Sequence, residues 1–212
     1  MRHAGAVTLR IDLLLLDVDG VLLDYQRALR VRHLADALQV PAQRVGQVLF
    51  ESGLESDYDR GAVTTDDYLR RLGAGLQAAM KVDETLWIAA RLAASRPRMD
   101  VVQRLLALPP SLPLAVLTNN GPLMAHVLQH ALPLLHSRLQ GRVLCSGMLG
   151  GRKPEPSVFL HALQRLRAEP SRTLFVDDLF VNVRGARQAG LHAETVRDGR
   201  SLGRVLKRYG LA

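Results

Sequence analysis

The stretch Leu13–Asp24, LLLLDVDGVLLD, carries an uninterrupted apolar run that ends in two carboxylates, Asp17 and Asp19, one residue apart. A short apolar run of this kind, bounded by Asp12 and Asp17, fits a strand buried on both faces of a parallel sheet. Four further runs read the same way: LPLAVLTN (112–119), RVLCS (142–146), RTLFVDD (172–178) and LHAETV (191–196). Helical patterns separate the later four. They are PLMAHVLQHALPLLHSRL (122–139), PSVFLHALQRLRAE (156–169) and LFVNVRGARQAG (179–190), the last closed by Gly190 as a C-cap. Strand alternating with helix predicts a doubly wound α/β fold with a five-stranded parallel sheet.

The segment 25–95 has a different character. Four helical patterns follow one another: YQRALRVRHLADALQ (25–39), AQRVGQVLF (42–50), TDDYLRRLGAGLQAAM (65–80) and DETLWIAARLAA (83–94). Thr64, three residues before Asp67, has the spacing of a capping box that opens the third. An all-helical insert is therefore expected between the first strand and the rest of the sheet.

Composition narrows the function classes. With 212 residues, 48% apolar and 23% charged, the chain suits a soluble globular protein of one or two domains. Its longest apolar stretches are too short to cross a bilayer, and the N-terminal leucine run reads as a buried strand rather than a signal peptide. A single cysteine, Cys145, cannot form an internal disulfide, so a cytoplasmic setting is expected. The net charge of +8 comes mainly from arginines scattered through helical patterns, and only 4% of residues are aromatic. No basic block interleaved with aromatics is present, so neither a nucleic-acid nor a membrane partner is expected; attraction of small anionic substrates fits the charge.

Strand C-terminal ends are where such sheets bind ligands, which puts Asp17 at a functional position. A helix N-cap, a Walker-B-like metal holder and an EF-hand fragment are the competing readings of D-x-D-G. The chain has no Gly-Lys pair and hence no P-loop, and the EF-hand loop needs its glycine at position six. Three other stretches join the first. LTNNGP (117–122) offers the Thr118 hydroxyl and the backbone amides of Asn119 to Gly121 ahead of a helix, where an anion is favoured. GRKPEPSVF (151–159) holds Lys153 in a proline-stiffened loop, and FVDDLFVNV (175–183) closes a fourth strand with Asp177 and Asp178. Carboxylates converging on one crevice would repel without a cation, so a hard divalent ion, Mg²⁺, is implied. Metal, anion cradle and a spare carboxylate together suit phosphoryl transfer.

In this order, DVDGV, LTNN, RKPEP and FVDDLFVNV resemble the four motifs of the haloacid-dehalogenase-like (HAD) hydrolase superfamily. The helical insert resembles that family's C1-type cap, and the nearest likeness is to small C1-capped phosphatases acting on sugar phosphates or related monoesters. The resemblance implies a core from 1–22 and 97–212 with a cap from 23–96, and the strand order 3-2-1-4-5, which brings all four motifs to one pocket. It implies that Asp17 is the nucleophile and Asp19 the general acid/base. Thr118, Asn119 and Lys153 would hold the phosphoryl group, Thr118 and Lys153 also counting as catalytic. Asp17, Asp178 and Asp19, the last through its backbone carbonyl, would ligate Mg²⁺, and Asp177 would orient Lys153 or act through water. Val21 and Asn182 depart from the family's commoner Thr and second acid. Alternatives on this fold are a phosphomutase, a haloacid dehalogenase, which would not need Asp19 or the Asp177/Asp178 pair, and a non-catalytic phosphate-ligand sensor or adaptor.

Other signals have plainer readings. His126 and His130 lack the glutamate of H-E-x-x-H and are expected on an exposed helix face. Ser146 lacks the G-x-S-x-G elbow. Tyr58 and Arg60, in YDRGAVTTDDY (58–68), lie in a helix-to-helix turn that either contacts substrate or is structural, and Cys145 is expected to be packing.

Overall fold

The computed structural model describes residues 10–212, so the part of the expected core at 1–9 lies outside the described residues. Among the described residues, seven strands and eleven α-helices follow one another. The strands are β1 (Leu13–Leu16), β2 (Leu23–Tyr25), β3 (Ser95–Pro97), β4 (Leu114–Thr118), β5 (Val143–Cys145), β6 (Thr173–Asp177) and β7 (His192–Thr195). Between β2 and β3 lie α1 (Arg27–Leu38), α2 (Ala42–Gly46) continued by a π turn (Gln47–Glu51), α3 (Leu54–Asp59), α4 (Thr65–Leu76) and α5 (Glu84–Ala93). The remainder are α6 (Met99–Leu106), α7 (Met124–Ala131), α8 (His136–Leu139), α9 (Pro156–Leu166), α10 (Phe180–Gln188) and α11 (Gly199–Arg208).

All five expected strands form, in one parallel sheet of order β5-β4-β1-β6-β7. The apolar runs are continuous because both sheet faces are covered, and side chains alternate between them. Leu14 and Leu16 of β1, with Leu114, Val116, Leu174 and Val176, belong to the core shared with α6, α7 and α11. Leu13 and Leu15, with Ala115, Leu117 and Phe175, face Val158, Phe159, Val183 and Ala186 of α9 and α10. Each of these Leu, Val and Phe side chains contributes about 1.5–3 kcal/mol relative to exposure. The register, Leu16 opposite both Val116 and Val176, brings the ends of β1, β4 and β6 out side by side.

The insert departs from an all-helical reading at its two ends. Leu23–Tyr25 and Ser95–Pro97 pair as an antiparallel ribbon, with Asp24 opposite Arg96, through which the chain leaves and re-enters the sheet domain. Helix α3 occupies a stretch where no helix was expected, and the third expected helix stops at Leu76, where Gln77 adopts a left-handed conformation (φ 52°). Thr64 caps α4, accepting the Asp67 N–H at 3.2 Å, but the Asp67 carboxylate does not bond back to the Thr64 N–H, so only half of the expected capping box forms. The 122–139 pattern is not one helix: α7 ends at Ala131, and a short 3₁₀ turn, Pro133–Leu135, precedes α8. Pro133 has no N–H to donate and breaks the run. Gly190 (φ 87°) closes α10 as expected, its N–H donating to the Arg187 carbonyl at 3.0 Å. Among the described residues, no helix is long and apolar enough to cross a membrane.

Gly185 marks where α10 meets the Lys153 loop, because a Cβ there would overlap the Pro154 carbonyl oxygen. Gly73 of α4 contrasts with it, its added Cβ meeting nothing closer than Val82 Cγ2 at 3.6 Å. Alanine at either site gains about 0.5–1 kcal/mol from helix propensity. Thermal unfolding should show Gly73→Ala raising Tm by about 1–3 °C. Gly185→Ala should lower it by about 2–12 °C, the overlap costing about 1–3 kcal/mol beyond the propensity gain.

Candidate active site

Three strand ends supply the first layer of the site. Asp17 leaves β1, Thr118 ends β4 and Asp177 ends β6. Lys153 comes from the loop before α9, and its ammonium, 2% exposed as a residue, lies 2.7 Å from Asp17 Oδ1 and 2.7 Å from Asp177 Oδ2. Asn119 fixes that loop with a two-bond clip: its Nδ2 donates to the Lys153 carbonyl and its Oδ1 accepts the Lys153 N–H, each at 2.8 Å. Thr118 is buried, and its hydroxyl oxygen accepts from Asn120 Nδ2 at 2.8 Å.

The adjacent acids of FVDDLFVNV have unlike surroundings. Asp177 is fully buried, and both of its oxygens are occupied: Oδ1 accepts from Leu179 N at 2.8 Å and Asn182 Nδ2 at 3.1 Å, Oδ2 from Lys153 and from Asn182 at 3.0 Å. Asp178 is half-buried and lines a cavity of about 430 Å³ together with Asp17, Asp19, Thr118, Asn119 and Lys153. Six residues given roles in the sequence therefore line one pocket, with Asp177 behind them against Lys153. Gly20 makes the approach of Asp178 possible, because its φ of 85° suits only glycine and a Cβ would overlap the Asp178 carboxylate.

Charge is unbalanced here. Burial, followed by the facing Asp177, raises the Asp17 carboxyl to about 8, although Lys153 pulls it down. Burial and Asp177 also raise Asp178. For Lys153 burial favours the neutral amine, but the two carboxylates outweigh it and raise its pKa. Asp17, Asp177 and Asp178 each present an oxygen within 4.8 Å of the others. With all three carboxylates ionised against one ammonium, two negative charges would stand unbalanced, which a divalent cation would match, and hard oxygen donors suit Mg²⁺.

Asp19 is joined to the insert. Arg91, on α5 and 1% exposed, donates from Nη2 to Asp19 Oδ2, and its guanidinium stacks on the Tyr25 ring at 3.6 Å from the centroid. Asn120 Nδ2 also reaches Asp19 Oδ2, at 3.3 Å. The amide of Gly121, expected to be open to an anion, is instead taken by Asp59 Oδ1 of the insert at 2.8 Å. Tyr58 is fully buried and accepts the Leu123 N–H at 3.2 Å, which makes the 58–68 turn structural at that residue. Ser146 donates to the Asp59 carbonyl, Cys145 is buried, and His126 and His130 are exposed.

A family model for haloacid dehalogenase-like hydrolases matches residues 11–190. The chain belongs to that family. A HAD family enzyme from Bacteroides thetaiotaomicron, solved in complex with magnesium and inorganic phosphate, superposes with a TM-score of 0.75 at 18% identity, covering 92% of this chain and 98% of that one. A 2-haloacid dehalogenase from Pseudomonas syringae pv. Tomato superposes at 0.63 with 18% identity, covering 94% and 100%. In sequence the chain is 34% identical over 129 residues to Phosphatase MT3486 of Mycobacterium tuberculosis, spanning 55% of this chain and 56% of that protein. Over other curated relatives the matched share of their length is smaller, 7% and 37% in two of them. The HAD hydrolase fold, with its strand order 3-2-1-4-5 counted along the sheet strands, thus agrees with the sequence-based expectation.

Arg91 and Asn120 were not singled out in the sequence. The signal for Arg91 was an arginine on the stripe formed by Trp87 and Ala90, both buried, one helical turn from Trp87. Removing a buried ion-pair partner costs up to about 3–5 kcal/mol, and less where the other carboxylate can rehydrate. Asp19 keeps a side-chain exposure of 32%. Arg91→Ala should therefore lower unfolding stability by about 2 kcal/mol in urea titration. The double cycle with Asp19→Asn should return a coupling of at least 1 kcal/mol, and a value near zero would contradict it.

Proposed function

We propose that the protein is a Mg²⁺-dependent phosphomonoester hydrolase that acts on a small phosphorylated metabolite through an aspartyl-phosphate on Asp17. The carrying observation is that Asp17, Asp19, Thr118, Asn119, Lys153 and Asp178 line one cavity, with Lys153 bonded to Asp17. A nucleophile, an anion holder and acids for a cation then converge. A dehalogenase needs neither Asp19 as acid/base nor an acid at Asp178, so both residues favour phosphoryl chemistry. The helical insert, 23–96, acts as a C1-type cap that excludes water and selects the leaving group. A single buried cysteine suits a cytoplasmic setting.

Asp17 and Asp178 side chains, with the Asp19 backbone carbonyl, would hold the Mg²⁺. When bound, the ion supplies Lewis-acid charge neutralisation at the phosphoryl oxygens. Asp17 attacks phosphorus with a carboxylate oxygen while the bond from phosphorus to the leaving oxygen breaks. Asp19 gives its proton to that leaving oxygen, which departs as an alcohol. It then takes a proton from water as the water oxygen bonds to phosphorus and the bond to Asp17 breaks, returning the carboxylate. Lys153, Thr118 and the Asn119 amide hold the phosphoryl oxygens through both steps. Asp177, with no oxygen to spare, keeps Lys153 aimed.

Hydrolysis of p-nitrophenyl phosphate should require Mg²⁺ and be lost in excess EDTA. Asp17→Asn should abolish turnover while the far-ultraviolet circular dichroism stays that of the wild type. A rate within a few-fold of wild type would place the nucleophile elsewhere. Saturable binding without turnover in the wild type would support the sensor reading, and transfer of the phosphoryl group to a second hydroxyl of the substrate would support the mutase.

Asp178→Asn should raise the Mg²⁺ concentration for half-maximal activity far more than Asp177→Asn does. Asp177→Asn should act chiefly through Lys153, lowering activity about 10 to 100-fold as losses of supporting partners do. Titrations of both variants decide the assignment, and the reverse ranking would move the metal to Asp177.

A further inference from the structure

A second cavity of about 310 Å³ adjoins the phosphoryl pocket and shares Asp19, Tyr25, Asn119 and Asn120 with it. Four arginines line it against three acids, and the pairing among them is uneven. Arg30 is engaged by Glu55, which takes both of its terminal nitrogens, and Arg91 is engaged by Asp19. Asp59, the third acid, is turned to the Gly121 N–H at 2.8 Å, and burial followed by Glu55 raises its carboxyl to about 8. Arg27 and Arg152 remain. Arg27 stacks on Phe50 at 4.1 Å from the ring centroid, and Arg152 Nη1 donates to Ser56 Oγ at 3.1 Å. Among the described residues, neither has a carboxylate within ion-pair distance.

These two guanidinium groups come from different parts of the chain. Arg27 belongs to the first helix of the insert, whereas Arg152 is the residue before Lys153 and so is tied to the phosphoryl site by the chain itself. A leaving group that follows the phosphoryl group away from Asp17 passes Asp19 and enters a space with surplus positive charge. Arginine also offers a planar fork that matches a carboxylate or phosphate with two hydrogen bonds.

Building on the phosphatase reading, we infer that the substrate is a short phosphomonoester whose leaving group carries an anion of its own, a carboxylate or a second phosphate, received by Arg27 and Arg152. The two residues then set specificity, while Asp17, Asp19 and Lys153 perform the chemistry.

The test compares substrates of matched size: 3-phosphoglycerate, glycerol 1,3-bisphosphate and glycerol 3-phosphate, with p-nitrophenyl phosphate as the reference. Wild type should show kcat/KM roughly tenfold or more higher for one or both esters with an anionic leaving group than for glycerol 3-phosphate, mainly through KM. Preference for 3-phosphoglycerate alone identifies a carboxylate, and preference for the bisphosphate alone a phosphate. In Arg27→Gln, Arg152→Gln and the double variant that ratio should fall towards one, and in the wild type it should shrink as NaCl rises. Equal use by the wild type of esters whose leaving group is charged and of glycerol 3-phosphate, whose leaving group is neutral, or a ratio that survives the double substitution, overturns the inference while leaving the phosphatase reading intact. A wild type inert towards every ester, p-nitrophenyl phosphate included, overturns that reading and this inference together.

Discussion

The Lys153 ammonium, held between Asp17 and Asp177 at 2.7 Å from each, is the contact on which the rest of the site depends. A buried charge is tolerable only when paired, and breaking such a pair costs about 3–5 kcal/mol because the remaining charge is left in a poor solvent. Here one cation serves two acids from neighbouring strands. Its backbone is clipped to Asn119 after β4, and Asp177 is steadied by Asn182 from the first turns of α10. Strand ends, loop and helix thus hold one another in register. The close approach of α10 to the Lys153 loop, which Gly185 permits, is part of the same constraint.

The sheet was legible in the sequence because its strands are apolar on both faces, leaving a continuous run that stops where the backbone reaches the ligand edge. What the runs could not supply is their order. Leu14 beside Leu114 and Leu174 is a non-local pairing with no local signature, and the order was expected only by resemblance. The ribbon of Leu23–Tyr25 with Ser95–Pro97 was missed for the same reason: each strand has three residues and neither has a partner nearby in sequence. Helix α3 lay hidden in ESGLESDYDRG, where Ser, Gly and Asp favour turns and caps. The break at Pro133 differs, since a proline inside a helical pattern was in plain view and should have divided it.

Among the site residues, those at strand ends were legible from residue type and position, whereas their division of labour was not. Asp177 and Asp178 look equivalent in FVDD. Their carboxylates come within 4.8 Å of one another, but the oxygens of Asp177 are taken up by Lys153, Asn182 and the Leu179 N–H, whereas Asp178 lines the cavity. Only the neighbours tell the two apart. Gly121 gives the opposite lesson: its amide was expected to be open, but Asp59 of the insert accepts it, which no local pattern around LTNNGP could indicate.

That Asp59 contact is one of several polar contacts by which the insert rests on the core. Arg91 bonds Asp19, Tyr58 accepts from Leu123, and Ser146 donates to the Asp59 carbonyl. The two parts are covalently joined only by the chain crossings at β2 and β3, so these polar contacts set how the insert is seated. Lifting α5 would remove the guanidinium from Asp19, and lifting α3 would free the Gly121 amide beside the β4 end. The seating of the insert and the electrostatics of the pocket are therefore a single variable: a substitution that loosens either contact changes the charges that a ligand meets, even where it leaves Asp17 and Lys153 in place.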